Sequence, residues 1–225
     1  MTVCGVEYRV LSVNVGRAME VVRGGETYRT AIGKRPVSGP VRLSELGFDG
    51  DEQADTENHG GPDKAVCVYS HAHYPYWERE LGMTLPFGAF GENVTVADLR
   101  EEDVRIGDVF RLGSALVQIS QPRRPCYKLG DRFGRSDLPL LVERTGYTGF
   151  YMRVLEEGIV APEDMMRLER RGRSGITVAF AGEVLFRRRE DADAIRTLLE
   201  AEALAESVRR SLEARLWKLV AAGLA

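Results

Sequence analysis

Residues 104–128 read VRIGDVFRLGSALVQISQPRRPCYK, and this stretch decides how the first part of the chain folds. Two runs rich in apolar and β-branched residues, Val104–Leu112 and Ala115–Ser120, flank the dipeptide Gly113-Ser114. A two-residue loop that contains glycine is typical of a β-hairpin. The sequence therefore predicts an antiparallel hairpin whose second strand runs directly into the loop around Cys126.

Further strands are predicted on both sides of this hairpin. The candidates are Tyr8–Val15, Thr27–Ile32, Ala65–Tyr69 and Val94–Val96. Short β-branched runs bounded by glycine, proline or acidic residues are typical of strands. Residues 33–59 are rich in glycine, proline and acid, which predicts a long ordered loop with short strands. The first two-thirds of the chain is therefore expected to be mainly β with added helices.

Helices are predicted within this part over His71–Leu81 and Asp137–Thr145, where apolar residues recur at helical spacing. Three more are predicted after residue 175: one capped by Thr177 and running to Phe186, one opened by Asp191 or Asp193, and one over Ala205–Val220. The sequence therefore predicts a β-rich body over residues 1–172 and a three-helix extension over residues 173–225.

Composition limits the classes of function. The chain has 225 residues, 44% of them hydrophobic, and a formal net charge of −3, so it lacks the basic footprint of a nucleic-acid-binding protein. No apolar run is long enough to span a membrane, and the N-terminal residues do not resemble a signal peptide. Three cysteines without paired spacing do not indicate a disulfide framework. We therefore expect a cytoplasmic protein that binds neither nucleic acid nor membrane.

Cys126 lies in the segment with the strongest chemical signal. Arg123, Arg124 and Lys128 lie within three positions of it. Nearby positive charge favours the thiolate, which is the form that acts as a nucleophile or as a soft metal ligand. Two prolines in the same loop fix φ and stiffen the backbone. The alternative is an inert buried cysteine beside solvent-facing arginines.

The segment His59-Gly-Gly-Pro-Asp-Lys64 is a second candidate. Gly60 and Gly61 permit positive φ, which lets backbone N–H groups turn toward an anion, and Lys64 adds positive charge. An ordinary Gly-Gly-Pro turn is the alternative explanation.

The segment Phe90-Gly-Glu-Asn93, directly before a predicted strand, is a third candidate. The amide of Asn93 offers both a donor and an acceptor, which suits the edge of a pterin or purine, and Glu92 precedes it. The alternative is a turn with asparagine in the left-handed region.

Several other chemistries find no support. His59, His71, His73 and Cys126 fit no common spacing of zinc ligands. The sequence has no glycine-rich dinucleotide motif, no P-loop and no nucleophile elbow. It also has no cysteine set for an iron–sulfur cluster and no flavin fingerprint, so it supplies no electron source of its own.

Four segments together resemble the signatures of MOSC domains, the family named for the C-terminal domain of molybdenum-cofactor sulfurase. They are TENHGGPDK at 56–64, FGEN at 90–93, IGD at 106–108 and QPRRPCYK at 121–128. The stretch SELGFDGDEQAD at 44–55 and the helical extension are similar to the YiiM-like subgroup of stand-alone bacterial MOSC proteins.

This resemblance implies a MOSC-type β-barrel with helices packed around it, followed by a helical C-terminal extension. It also implies a molybdenum cofactor, a molybdopterin, with Cys126 as the protein ligand to the metal. Arg123, Arg124 and Lys128 would bind the phosphate of the cofactor, and the segments around Gly60, Gly61, Lys64, Glu92 and Asn93 would line the same pocket. We expect no pyridoxal phosphate, because the domain that binds it in some relatives is not part of the resemblance.

The resemblance further implies reduction of N-hydroxylated compounds such as 6-hydroxylaminopurine to amines, with a separate flavoprotein reductase as electron donor. His59, Asp63 and Asp51 are the candidate proton donors beside Cys126, and the sequence does not choose among them. A homodimer is compatible with the sequence. The alternative functions are a non-catalytic carrier that uses Cys126 to hold sulfur or the cofactor, and a thiol-dependent transferase without metal.

Overall fold

The computed structural model describes residues 5–23, 25–55 and 60–223. Its strands are β1 (Glu7–Val15), β2 (Met19–Arg23), β3 (Glu26–Thr30), β4 (Arg35–Pro36), β5 (Val41–Ser44), β6 (Gly47–Phe48), β7 (Val66–Ser70), β8 (Val94–Val96), β9 (Val109–Leu112), β10 (Ala115–Pro122), β11 (Phe150–Glu156), β12 (Gly158–Val160) and β13 (Met165–Arg170). Its helices are α1 (Tyr74–Leu81), α2 (Tyr127–Phe133), α3 (Leu138–Thr145), α4 (Val178–Phe186), α5 (Ala192–Leu199) and α6 (Glu206–Ala221).

Seven of the strands form a closed barrel. Their order is β13-β9-β10-β11-β7-β8-β1, and β1 pairs back with β13, so the sheet has no open edge. All neighbouring pairs are antiparallel except β7 and β8, which run parallel. The predicted mainly β fold, a barrel followed by a helical extension, is confirmed.

Smaller sheets lie outside the barrel. β2 and β3 form a separate hairpin, β5 pairs with β6 and β12, and β4 pairs with the C-terminal end of β1. Of these elements, β4, β5 and β6 lie in the segment 33–59 that the sequence predicted as a loop with short strands, and β3 corresponds to the predicted strand Thr27–Ile32. β2 was not predicted, because four of its five side chains are exposed and no alternating pattern marks it.

The helix ends follow the capping residues of the sequence. Thr177 accepts a hydrogen bond from the N–H of Phe180 at 3.1 Å, and Asp191 accepts one from Ala194 at 2.9 Å. Gly82 closes α1 at φ 66°, which is the left-handed C-cap expected of glycine. α2 was not predicted, because a helix of seven residues containing Gly130 shows too little periodicity.

The predicted hairpin forms, but its first strand begins at Val109 rather than Val104. The buried carboxylate of Asp108 explains this difference. It accepts hydrogen bonds from the backbone N–H of Arg105 at 3.0 Å and of Gly172 at 2.7 Å. The carboxylate therefore holds residues 105–108 as a turn that leads into β9.

The barrel and the helical extension share one apolar core. The same cluster of buried side chains contains Ile106 and Ile119 from the barrel part and Val184, Ile195 and Leu212 from the extension. A second, aromatic cluster around Tyr69, Trp77 and Phe90 packs α1 against the barrel. Within the described ranges, no helix is long and apolar enough to cross a bilayer.

Candidate active site

A cleft of about 650 Å³, partly open to solvent, lies between the end of β3, the loop 51–55 and the loop that follows β10. Its charged lining comprises five cations and three acids: Lys34, Lys64, Arg123, Arg124, Lys128, Asp51, Glu52 and Asp55. Cys67, Asn93, Cys126 and Tyr151 also line it. The excess of cations over acids favours an anionic ligand.

Cys126 is placed in this cleft by the end of the barrel strand. β10 ends at Pro122, and Cys126 is the N-cap residue of α2, with extended backbone angles and a carbonyl that accepts from Leu129 at 3.0 Å. Its side chain makes no capping hydrogen bond and is partly exposed. The thiol is therefore half-buried and directed by rigid elements on both sides.

Arg123 is almost fully buried, with 5% of its surface exposed. Its Nη2 donates to the carbonyl of Phe90 at 2.6 Å, and its backbone N–H donates to the carbonyl of Gly149 at 3.0 Å. Its Nη1 has no hydrogen-bond partner among the described residues. A buried guanidinium donor without a partner is costly, so this atom points to a ligand as its missing acceptor.

A polar network links Lys34, Asp51 and Asn93 on one wall of the cleft. Lys34 Nζ is paired with Asp51, and their side chains are 8% and 3% exposed. Asp51 also accepts from Asn93 Nδ2 at 2.8 Å and from the N–H of Gly16 at 2.8 Å. These contacts fix the Asp51 carboxylate and the Lys34 side chain in the cleft wall.

Asn93 also fixes the adjacent strands. Its Oδ1 accepts from the N–H of Cys67 at 3.1 Å, and its own N–H donates to the carbonyl of Cys67 at 2.8 Å. The N–H of Asn14 donates to the carbonyl of Asn93 at 2.6 Å. These bonds anchor residue 93 between β1 and β7 and fix the position of its amide in the cleft wall.

Cys67 and Tyr151 form a buried part of the wall, opposite each other on β7 and β11. Burial raises the pKa of the Cys67 thiol to about 11, and burial also raises the pKa of Tyr151. Both groups are therefore neutral hydrogen-bond donors near neutral pH.

The remaining cations lie toward the opening. Lys128 Nζ donates to the carbonyl of Arg29 at 3.0 Å, which ties α2 to the β2–β3 hairpin, and Arg124 is exposed. Burial is the main cause that lowers the pKa of Lys64, although the charges of Asp63 and Asp55 oppose it.

Glu92 does not line the cleft, which corrects the expectation from its place in FGEN. Its carboxylate is fully buried and accepts from Tyr74 Oη at 2.6 Å, Thr95 Oγ1 at 2.9 Å and the N–H groups of Gly88 and Phe90, each at 3.0 Å. These four hydrogen bonds hold the loop 88–93 in place, and the carboxylate itself does not line the cleft.

Gly91 supplies the close approach in that loop. Its φ is +77°, and a Cβ on it would lie 2.8 Å from Ile32 Cγ1 across the cleft wall. Both features explain why glycine precedes Glu92.

Asp63 also lies away from the cleft lining, which corrects its assignment beside Cys126. Its carboxylate pairs with Arg153 at 2.7 Å and accepts from the N–H of Glu206 at 3.1 Å. Gly60 and Gly61 precede the short 3-10 helix Pro62–Lys64, with Gly61 at φ 92°, and do not line the cleft either. Of this segment only Lys64 reaches the lining among the described residues, and His59 lies outside them.

His73 has a structural partner elsewhere. Its Nε2 lies 2.8 Å from Glu101 Oε2, both side chains are buried, and its ring stacks on Tyr147 at 4.0 Å. Glu101 also accepts from the N–H of Gly149 at 2.7 Å. This pair therefore supports the backbone to which Arg123 is bonded.

Lys34, Cys67 and Tyr151 were not assigned to a site from the sequence. Lys34 reaches the cleft because β4 pairs with β1, and Tyr151 because β11 pairs with β7. These are long-range pairings that no local motif records. A lysine between Gly33 and Arg35 in a polar loop is the only local signal, and it is weak.

The chemistry of the residues that line the cleft fits a molybdopterin-type cofactor. A half-buried thiol is a soft metal ligand, and a buried guanidinium with an unsatisfied donor suits a phosphate or a pterin carbonyl. Arg124, Lys64 and Lys128 add positive charge, and the amide of Asn93 is fixed in the wall.

Family profiles agree with this architecture. The profile described as MOSC domain matches residues 55–167, and the profile described as YiiM-like, 3-alpha helix domain matches residues 176–218. The chain belongs to the MOSC domain family, and its C-terminal helices are those of the YiiM-like group.

Two relatives are similar over most of their length. An uncharacterized protein YflK of Bacillus subtilis is 52% identical, with 91% of this chain and 92% of the relative covered. Protein YiiM of Escherichia coli is 41% identical, with 83% and 84% covered. A protein named Reductase from Gibberella moniliformis is 39% identical over 71% of this chain, which spans 29% of that longer protein.

Solved structures are similar as well. The crystal structure of YiiM from Geobacillus stearothermophilus superposes with a TM-score of 0.80 at 36% identity, covering 93% of this chain and 99% of that one. YiiM from Escherichia coli superposes with a TM-score of 0.78 at 35% identity, covering 95% and 94%.

Proposed function

We propose that the chain is a molybdenum-cofactor-dependent reductase that converts N-hydroxylated bases and related compounds, of the 6-hydroxylaminopurine type, to amines. The observation that carries the proposal is that Cys126 and the buried Arg123 line the same cationic cleft, and that Arg123 Nη1 has no hydrogen-bond partner among the described residues. A thiol beside cations suits a metal-bearing anionic cofactor better than it suits a neutral ligand.

When bound, the molybdenum cofactor would supply a metal centre able to take up the oxygen atom of the N–OH group. The overall reaction consumes two electrons and two protons per N-hydroxylated substrate and yields the amine and water. We assign the electrons to a separate flavoprotein reductase. The fungal relative named Reductase supports a redox role, although this chain covers only 29% of it.

We assign the binding of the cofactor to the following residues of the cleft. Cys126 would bind the metal through its sulfur, while Arg123 Nη1, Arg124 and Lys128 would bind the anionic end of the cofactor. Asn93 donates from Nδ2 to Asp51 and to the carbonyl of Asn14, so it would shape the wall of the pterin site.

For the proton supply, Lys34 replaces Asp63. Its Nζ lines the cleft beside Asp51, whereas the carboxylate of Asp63 is engaged with Arg153 outside the cleft lining.

The test is expression in a host that makes molybdenum cofactor, followed by reduction of 6-hydroxylaminopurine with an artificial electron donor. We expect turnover by the wild type and loss of at least about a hundredfold in Cys126→Ser, because the harder hydroxyl is a poor substitute for a thiolate ligand. Cys4→Ser, which removes a thiol far from the site segments in sequence, is the matched control.

Two results would redirect the proposal. Molybdenum bound without turnover of any N-hydroxylated compound would favour the carrier function. Turnover that persists in protein stripped of molybdenum would favour a thiol-dependent transferase.

A further inference from the structure

Tyr127 is the first residue of α2, and 61% of its surface is exposed. It follows Cys126 and precedes Lys128, and both of these neighbours line the cleft. An exposed aromatic ring offers an apolar face on which a flat ligand can stack.

A second ring holds Tyr127 in place. The centroids of Tyr127 and Tyr28 are 5.8 Å apart in an edge-to-face arrangement. Tyr28 Oη donates to Asp131 of α2 at 2.9 Å, and Lys128 Nζ lies 5.9 Å from the centre of the Tyr28 ring. The aromatic pair is therefore fixed before any ligand arrives, which reduces the entropy cost of binding.

The β2–β3 hairpin places further residues on the same face as Tyr28. Met19 is opposite Thr30 and Val21 is opposite Tyr28, so these four residues share one face of the hairpin. Thr30 lines the cleft, and Met19 is 58% exposed. Val22, one position along, belongs to the opposite face.

We infer that Tyr127, with Tyr28 and Met19, is a stacking platform for the flat heteroaromatic ring of the substrate. This inference rests on the proposed function and adds to it the surface that would position the substrate ring. The charged interior of the cleft suits the cofactor and the polar N–OH group, while the aromatic pair suits a purine-like ring whose hydroxylamino group points inward. Base–aromatic stacking tolerates different bases, because every base offers a π-face.

The test combines turnover with binding. In the loaded enzyme, Tyr127→Ala should raise KM for 6-hydroxylaminopurine about tenfold and leave kcat within about twofold, whereas Tyr127→Phe should keep the wild-type KM because it keeps the ring. Trp217→Ala removes an equally exposed aromatic ring from α6 and serves as the matched control. The same variants are titrated with adenine, the amine product, by calorimetry, and we expect Kd to rise by the same factor only in Tyr127→Ala.

The outcomes separate this inference from the function itself. An unchanged adenine Kd and an unchanged KM in Tyr127→Ala, with an unaltered unfolding midpoint, would overturn the platform and leave the reductase proposal intact. Equal losses in Tyr127→Phe and Tyr127→Ala would also overturn it, since the ring would then not matter. Adenine binding that depends on Tyr127 in a protein without turnover would support the platform and contradict the reductase.

Discussion

At the scale of single residues, Glu92 and Asp63 hold the site without entering it. Both are carboxylates in segments where the sequence predicts ligand contacts, and both are used by backbone N–H groups and side chains of neighbouring loops. Cys126 and Arg123 do line the cleft. They are only three positions apart in the sequence, and the rigid end of β10 sets their direction.

Glu92→Gln should lower the free energy of unfolding by about 2–3 kcal/mol. The Glu92 carboxylate accepts four hydrogen bonds, so the NH₂ group of glutamine would point at a donor rather than at an acceptor. At least one buried donor would then lack an acceptor. Urea denaturation measures the change. Glu102→Gln, at a side chain that is 63% exposed, is the control and should change stability by less than about 0.5 kcal/mol. A similar small change in Glu92→Gln would contradict the buried role.

The raised pKa of Cys67 predicts that the protein loses stability at alkaline pH. Its pKa is about 11 in the folded chain against the ordinary value of 9.0, so the unfolded chain releases the proton first. The stability associated with the protonated Cys67 thiol is therefore fully present below about pH 9. As the pH rises toward about 11, the free energy of unfolding falls by roughly 2–3 kcal/mol. Unfolding at several pH values should show a shallower decline for Cys67→Ala than for the wild type. Parallel declines would contradict the assignment.

The residue-scale site was partly predictable from sequence. Cys126, Arg123, Arg124 and Lys128 are close in the chain, so their shared location follows from local spacing. Lys34 and Asp51 are 17 positions apart and meet only because β4 pairs with β1 and the loop 51–55 folds over Gly16. No local pattern contains that information.

At the scale of elements, caps and short-range turns were predictable and connections were not. Thr177, Asp191 and Gly82 mark helix ends by chemistry that acts over three or four residues. The link between the 3-10 helix Pro62–Lys64 and the start of α6 joins residues 143 positions apart through Asp63. It appears only when the chain is folded.

Asp63→Asn should destabilise this link and spare the chemistry. Loss of the charged pair with Arg153 and a weaker acceptor for Glu206 should cost about 1–2 kcal/mol of unfolding free energy. The kcat for 6-hydroxylaminopurine should stay within about threefold of the wild type, as measured beside Asp193→Asn, an exposed acid of α5. A fall of a hundredfold or more in kcat at unchanged stability would restore Asp63 as a proton donor.

At the scale of the whole molecule, the barrel and the helical extension share one apolar core. Helices α4, α5 and α6 contribute side chains to the same apolar core as the barrel strands. Five of the seven barrel strands and the three helices of the extension could be predicted from local patterns, but β11 and β13 were not predicted. Closure of the barrel between β1 and β13 could not, because it joins the two ends of the barrel part, and it was expected only through the family resemblance.

Leu198→Ala should therefore destabilise the entire chain by about 2–5 kcal/mol, since it leaves a cavity in the shared core. Far-UV circular dichroism follows the helices, and the fluorescence of buried Trp77, measured in a Trp217→Phe background, follows the packing of α1 against the barrel. We expect both signals to shift to lower urea by the same amount in a single transition. A separate early transition seen only by circular dichroism would show that residues 173–225 unfold independently.

Metal content and X-ray absorption at the molybdenum edge test the central claim most directly. They are measured on wild type and Cys126→Ser purified from a host that makes the cofactor, with folding checked by circular dichroism. We expect about one molybdenum per wild-type chain, with a protein sulfur among its ligands, and loss of that sulfur and of most of the metal in Cys126→Ser. Equal molybdenum with the same sulfur coordination in both proteins, or no molybdenum in a folded wild type, would contradict the assignment of Cys126 as the metal ligand.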